Sequence, residues 1–285
     1  MEYEKYREAG KIAHNALRKG LSLIREGVNY REVAEEVEGY IKERADIAFP
    51  VNISVNSVAA HYTPSSNEEL VFRKGDVVKL DVGAHVDGYI GDTAKTIEIG
   101  TKKFEKLIQS AEKALEEAIK IIRAGINVGE IGQKIESVIK EYGFRPVRNL
   151  YGHSLAKYNL HAGISIPNVS VNSTQKLKEG QVIAIEPFSI DGAGIVVDGG
   201  IGNIYRITHF SPLIKNIKSR FDGLPFAERW LYEIYGNKTP IKISMLMKRR
   251  LIAPYFRLVD AKNGIVTQAE HTVMIKEDGC EILTI

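Results

Sequence analysis

The chain has 285 residues, long enough for one large domain or two ordinary ones with a sizeable core. Its 39 Lys and Arg residues nearly balance its 36 Asp and Glu residues, for a net charge of +3, so the composition requires no polyanionic partner and supports no specific nucleic-acid binding. A charged N-terminal segment, the lack of a long apolar run and a single cysteine, Cys280, predict a cytoplasmic protein without a membrane span or an internal disulfide.

The first predicted elements are two amphipathic helices over residues 16–43, ALRKGLSLIREGVNYREVAEEVEGYIKE. Residues 114–141, ALEEAIKIIRAGINVGEIGQKIESVIKE, align with them without a gap. In each copy a glycine is expected to end the first helix and an asparagine to cap the second: Gly27 and Asn29, then Gly125 and Asn127. Helical periodicity does not require these identities, so the sequence predicts two similar halves.

Residues 80–94, LDVGAHVDGYIGDTA, predict a β-hairpin with its turn at Asp87-Gly88. Asp81 and Asp92 then lie on one face as diagonal neighbours, about 7 to 8 Å apart at the backbone, while the other face is apolar. Two carboxylates on a partly buried face need a shared proton, basic side chains or cations to offset their repulsion. Divalent cations are the most economical of these, although two solvent-facing acids on an exposed hairpin would need nothing.

The strand that carries Asp81 has a counterpart later in the chain. KGDVVKLD (74–81) matches EGQVIAIE (179–186), and both end in an acid, Asp81 in one half and Glu186 in the other. If the two α+β halves are related by a pseudo-twofold axis, these two acids meet at the centre of the molecule.

Other candidate ligands follow along the chain: Glu270 in QAEHT and His153 in YGHSL. Four carboxylates and one imidazole suit two oxygen-preferring divalent ions better than one, and a structural zinc site would favour cysteine. Single histidines such as His61 and His161 are more often structural than functional. His85 and His209 are expected at the surface.

Several of these segments, in this order, resemble methionine aminopeptidases of the type II branch. The matching segments are FPVNISVNSVAAHYTP (49–64), LDVGAHVDGYIGDTA (80–94), GHSLAKYNLHAGISIPN (152–168), AIEPF (184–188), LPFAERWL (224–231) and QAEHT (268–272). Because the chain starts directly at the segments that match the catalytic core, the resemblance is to archaeal-type, single-module enzymes.

The resemblance implies the pita-bread fold, an α/β (α+β) architecture of two pseudo-twofold-related halves with a dinuclear site between them. It assigns residues 1–199 and 256–285 to the catalytic domain and residues 200–255 to a helical, winged-helix-like insertion. The basic residues of the insertion, such as Lys248 and Arg249, fit a nucleic-acid module less well than a solvated helical face.

The same resemblance implies roles for the candidate ligands. Asp81 would chelate one ion, Asp92 and Glu270 would bridge two, and His153 and Glu186 would complete the second. The ions, two of Co, Mn, Fe or Zn, would activate water, and Glu186 would be the general base.

At the substrate, His61 would lie near the scissile amide and His161 near the carbonyl oxygen. An apolar pocket for the methionine side chain would include Phe49, Leu160 and Tyr255. The implied activity is removal of the initiator methionine from nascent polypeptides when the second residue is small, by a monomer with transient proximity to the ribosome.

Two alternatives remain open from the sequence. An Xaa-Pro aminopeptidase or prolidase shares the fold but usually carries a large N-terminal domain. A non-catalytic, RNA- or ribosome-binding homologue would tend to lack some of the five ligands, all of which are present here.

Overall fold

Two helical pairs, each packed against an antiparallel sheet, make up most of the computed structural model, which describes residues 2–285. The helices are α1 (Glu2–Leu23), α2 (Tyr30–Lys42), α3 (Glu105–Ile121), α4 (Val128–Glu141), α5 (Lys215–Phe221), α6 (Tyr232–Tyr235) and α7 (Thr239–Lys248). Short 3-10 turns occupy Pro212–Ile214, Arg229–Leu231 and Gly236–Lys238.

The strands are β1 (Asp46–Val55), β2 (Val58–Ala60), β3 (Val77–Val86), β4 (Tyr89–Glu98), β5 (Arg145–Pro146), β6 (Tyr151–Leu155), β7 (Ser165–Pro167), β8 (Val182–Ile185), β9 (Phe188–Ile190), β10 (Val196–Ile207), β11 (Phe226–Ala227), β12 (Ile252–Asp260), β13 (Val266–Gln268), β14 (His271–Lys276) and β15 (Gly279–Ile282). They form four sheets with the orders β1-β3-β4, β15-β14-β8-β6-β7, β11-β10-β12-β2 and β13-β9-β5.

Each copy of the sequence repeat builds one half of the molecule. In the first half, α1 and α2 bury aliphatic side chains such as Val33 and Val37 against Leu80 and Val82 of β3. In the second half, α3 and α4 pack in the same way on β8 and β14. The prediction of two similar α/β halves is therefore confirmed.

The predicted asparagine caps begin α2 and α4. The Asn29 side chain accepts a hydrogen bond from the Arg31 N–H, and Asn127 forms a reciprocal capping box with Glu130. Both caps follow a glycine with positive φ, which lies in the turn a few residues after the preceding helix has ended.

The halves meet at a seam between β4 and residues 268–272. One threonine from each half forms hydrogen bonds there with the backbone of the other half. The Thr272 hydroxyl accepts from the Asp92 N–H at 2.8 Å and donates to the Asp92 carbonyl at 2.7 Å. The Thr96 hydroxyl makes the same pair of bonds, at 2.8 and 2.6 Å, with the backbone of Gln268. These hydrogen bonds therefore fix the backbone at the predicted ligand Asp92, and at Gln268, close to the predicted ligand Glu270.

A buried lysine adds a second link across the molecule. Lys79 of β3 is fully buried, and its Nζ donates to the carbonyl of Asn56 at 2.9 Å and to that of Val266 at 2.8 Å. These carbonyls belong to opposite ends of the chain, so the lysine joins the β1–β2 turn to β13.

The sheet β11-β10-β12-β2 carries the segment predicted as an insertion, residues 200–255. Ile217 of α5, Leu246 of α7 and Trp230 of the 3-10 turn Arg229–Leu231 form one apolar cluster with Tyr205 of β10 and Ile252 of β12. Strand β12 continues past residue 255 and pairs with β2, which ends next to His61. The segment therefore shares strands with the remainder of the chain.

None of the helices within residues 2–285 combines the length and the apolarity that crossing a membrane requires.

The seam generates a stability prediction. Thr272→Val keeps the shape of the side chain but leaves the buried N–H of Asp92 without its acceptor, which should lower the free energy of unfolding by about 1 to 3 kcal/mol. Urea denaturation measures the change. Thr101→Val is the matched control because the Thr101 hydroxyl is exposed and bonds only to Glu98, so a change within about 0.5 kcal/mol is expected. Equal losses in both variants would contradict a special role for the seam.

Candidate metal centre

The hairpin β3–β4 places the first two carboxylates on one face. Asp81 pairs with Ala94 and Gly83 pairs with Asp92, which is the register that the Asp87-Gly88 turn predicted. That register is confirmed, and it follows from a turn whose residues both have positive φ. The acids project from the face opposite the core of the first half.

The second half contributes a histidine and a glutamate. His153 of β6 pairs with Ala184 of β8, and Glu186 directly follows the end of β8. The Nε2 of His153 lies 3.4 Å from Glu186 Oε1 and 3.8 Å from Asp92 Oδ2. The two halves therefore bring ligand atoms together as the repeat suggested.

Glu270 completes the group from the other side of the seam. It lies between β13 and β14, its N–H donates to the Ala94 carbonyl at 3.0 Å, and its carbonyl accepts from the Thr93 hydroxyl at 2.9 Å. One ligand atom from each of Asp92, His153 and Glu270 lies within 4.8 Å of the others. These three residues could hold one ion directly.

The hydrogen bonding of the cluster fits a cation. Asp81 Oδ1 and Asp92 Oδ1 are buried and find no hydrogen-bond partner among residues 2–285. Buried carboxylate oxygens are normally satisfied, and oxygen atoms with one imidazole are a donor set that divalent ions accept. The residues present therefore suit divalent metal.

The electrostatics of the cluster lead to the same conclusion. Burial raises the pKa of Asp81 to about 7. Burial, and then the charge of Asp81, raise the pKa of Asp92 well above its usual range, and burial with repulsion from Asp92 does the same for Glu186 and Glu270. Without cations the four groups resist ionisation together, so metal and proton compete for them.

The two remaining predicted histidines line the same cleft as the cluster. The His161 ring lies 4.4 Å from the His153 ring, measured between centroids, and its side chain lines the cleft, partly buried and partly open to solvent. The His61 ring meets the Tyr255 ring edge-on at 5.2 Å. Both imidazoles face the same open space.

Burial keeps these imidazoles uncharged at neutral pH. It lowers the pKa of His61 to about 4 and that of His153 to about 3, with a further contribution from His161 in each case. Burial, and then the positive charge of Arg206, lower the pKa of His161 as well. The three rings can therefore act as neutral ligands or hydrogen-bond partners.

A cleft of about 410 Å³ opens onto the carboxylates. The residues that the sequence nominated all line it: Phe49, His61, Asp81, Asp92, His153, Leu160, His161, Glu186, Tyr255 and Glu270. The lining combines the four acids with apolar side chains, among them Phe49, Leu160 and Tyr255. Such a cleft can bind an apolar group next to a polar reaction centre.

The cleft is also lined by residues that were not predicted from the sequence, among them Pro225 and Ile204. Pro225 lies within the motif LPFAERWL, which was read only as a match, so its position in a known motif could have identified it. Ile204 belongs to β10, in the segment assigned to the insertion, and no sequence signal marks it. Both residues reach the cleft because β10 and β11 pair beside it.

The expectation that His85 lies at the surface was wrong. His85 is 7% exposed, its Nδ1 accepts a hydrogen bond from the Gly88 N–H at 3.1 Å, and its ring packs against Tyr158. It closes the hairpin turn, a role that strand alternation cannot reveal. His209 is exposed, as expected.

Known proteins are similar to this chain over nearly its whole length. The methionine aminopeptidase of Methanocaldococcus jannaschii is 45% identical over 291 residues, which cover 99% of this chain and 98% of the relative. That of Methanothermobacter thermautotrophicus is 43% identical over 293 residues, with the same coverage of both chains.

Solved structures agree with these sequences. The crystal structure of a methionine aminopeptidase from Thermotoga maritima superimposes with a TM-score of 0.74 at 28% identity, covering 99% of this chain and 96% of that one. The pita-bread prediction is thereby confirmed. The model of metallopeptidase family M24 matches residues 4–277, and this chain therefore belongs to that family of metal-dependent hydrolases, among its methionine aminopeptidases.

Proposed function

We propose that this enzyme removes the N-terminal methionine from polypeptides whose second residue is small, using two divalent ions. The observation that carries the proposal is a single cleft lined both by four carboxylates and by apolar side chains. A hydrolytic centre then stands beside a pocket for one linear apolar side chain.

The ligand set is assigned from the cluster. Asp81, Asp92, His153, Glu186 and Glu270 would hold the ions, and the sharing of Asp92 and Glu270 between them is what the family resemblance implies. Divalent ions in such a set supply Lewis acidity and lower the pKa of water. Co, Mn, Fe and Zn all suit these donors, and availability in the cell would select among them.

Glu186 is the general base in this proposal. Its carboxylate lies against His153 at 3.4 Å and keeps a pKa raised by burial, which suits a group that must both accept and release a proton. It takes the proton of the attacking water and passes it to the leaving amine.

His61 and His161 bind the reacting amide. His161 hydrogen-bonds the carbonyl oxygen as negative charge develops there, and His61 lies at the amide nitrogen and the second residue. Both are uncharged at neutral pH because of burial, so neither repels the ions.

Methionine binds in the apolar part of the cleft. Phe49, Leu160 and Tyr255 form its walls together with Pro225 and Ile204. A flexible thioether chain fills such a pocket with favourable contacts to the aromatic rings.

The enzyme is of type II in this proposal, which is supported by the helical segment at residues 200–255 and by the archaeal relatives. The enzyme would act as a monomer in the cytoplasm. It would come transiently close to the ribosome, because the initiator methionine becomes accessible as a nascent chain emerges. The Xaa-Pro peptidase and RNA-binding alternatives are not favoured, and hydrolysis of Xaa-Pro peptides faster than Met-Ala-Ser would reverse that ranking.

A paired substitution tests the ligand assignment. Asp92→Asn removes a charge from the centre of the cluster, and kcat/KM for Met-Ala-Ser should fall at least about 100-fold. Asp87→Asn is the control, because Asp87 lies in the hairpin turn, where its side chain is 66% exposed and pairs with Lys5. Its activity should stay within about twofold. Activity of the Asp92 variant near that of the unmodified protein would refute the assignment.

The raised carboxyl pKa values predict a pH-dependent response to metal. A carboxyl with a raised pKa in the folded protein destabilises the fold as pH rises from the unfolded value of about 4 towards the folded value. For Asp81 that folded value is about 7. Adding Mn²⁺ to chelated protein should therefore raise the melting temperature more at about pH 8 than at about pH 5.

Thermal unfolding of chelated and Mn²⁺-loaded protein, across this pH range, measures the effect. An equal gain at both ends, or the same gain in the Asp92→Asn protein, would show that the ion binds elsewhere.

A further inference from the structure

The backbone at His61 has a conformation that L side chains disfavour. Its φ is 65°, in the left-handed region, and the residue is neither glycine nor asparagine. Its carbonyl lies so close to Gly202 that a Cβ there would stand 1.7 Å from the His61 oxygen. Surrounding contacts must therefore hold this residue in place.

Thr63, two residues later, anchors the segment. It is fully buried, its N–H donates to the Gly202 carbonyl at 3.1 Å, and its hydroxyl donates to the Val51 carbonyl at 2.8 Å. Its own carbonyl accepts from Asn203 Nδ2 at 3.0 Å. Two of these three partners lie in the segment 200–255.

Arg229, in the same segment, reaches the anchor with its side chain. Its Nη1 donates to the Thr63 hydroxyl at 2.8 Å and to the Pro64 carbonyl at 3.0 Å, and its Nη2 forms an ion pair with Glu38 of α2. The side chains of this pair are only 5% and 4% exposed.

Glu38 is itself fixed from two directions. It accepts hydrogen bonds from Trp230 Nε1 at 2.8 Å and from the Val51 N–H at 3.2 Å. A bond chain thus runs from α2 through Arg229 to Thr63, and we call Glu38, Arg229 and Thr63 the clamp.

A buried ion pair is a weak way to stabilise a fold, since apolar residues of similar volume often do as well. A guanidinium group held at both ends does something that an apolar side chain cannot, because its planar donors fix the direction of each bond. The position of the clamp, two residues from a strained histidine in the cleft, suits such a use.

We propose that Arg229, held by Glu38, is a positioning residue that fixes His61 towards the substrate. Residues 200–255 then contribute to catalysis through the clamp, in addition to lining the cleft. This inference rests on the proposed function, because it takes His61 to lie at the scissile amide.

The test compares two arginines of the same segment. Arg229→Met cuts the clamp, whereas Arg220→Met removes an exposed arginine paired with Glu233. With Met-Ala-Ser and Mn²⁺, the Arg229 variant should lose kcat by about 10- to 100-fold, while KM and the calorimetric affinity for Mn²⁺ stay within about threefold. The Arg220 variant should match the unmodified enzyme. A fall in Mn²⁺ affinity equal to the fall in kcat would overturn the proposal.

A double-mutant cycle with His61→Ala separates positioning from general damage. If Arg229 acts through His61, Arg229→Met causes no further loss of kcat once His61 is alanine. The same fold loss in both backgrounds overturns the clamp while leaving the proposed function intact. Full activity of His61→Ala alone instead overturns the role of His61 in the proposed function.

Should Arg229→Met fail to fold, Thr63 carries the test. Thr63→Val removes the hydroxyl that Arg229 contacts, and Thr63→Ser keeps it. A kcat loss confined to the valine variant, and absent in the His61→Ala background, supports the clamp. Equal activity of the two variants refutes it.

Discussion

Four carboxylates cannot lie together in a buried place unless the backbone holds them there, because each raises the cost of ionising the others. The seam between the halves supplies that hold. The Thr93 hydroxyl, from the first half, donates to the backbone carbonyl of Glu270. The Thr272 hydroxyl, from the second half, accepts from the backbone N–H of Asp92. The acids therefore stay close before any cation binds, and the cleft, the histidines and the apolar wall are arranged around them.

Features that depend on neighbouring residues could be predicted from the sequence. The Asp87-Gly88 turn sets its own register, and an asparagine cap acts over two or three residues, so hairpin and helix starts were correctly placed. The repeat predicted two halves because both copies fold by the same local rules. The acids were nominated as candidate ligands because acids at strand ends contradict the apolar pattern around them, whereas the roles of His61, His161 and the apolar pocket came from the family resemblance.

Features that depend on distant contacts could not be predicted. His85 is buried by the Gly88 N–H and the ring of Tyr158, and only the second is far along the chain, yet alternation alone placed His85 outside. Ile204 reaches the cleft through strand pairings that no periodicity encodes. Threonine hydroxyls at the seam look like ordinary strand residues until the opposite half is present.

The buried Lys79 amine can keep its hydrogen bonds whether or not it carries a charge. Burial lowers the pKa of its amine well below the usual value. An amine that has released its proton still has two N–H bonds, and it serves two carbonyls, those of Asn56 and Val266. This cross-link therefore keeps both of its hydrogen bonds in either protonation state, and, unlike a salt bridge, it needs no charge on the lysine to join the β1–β2 turn to β13.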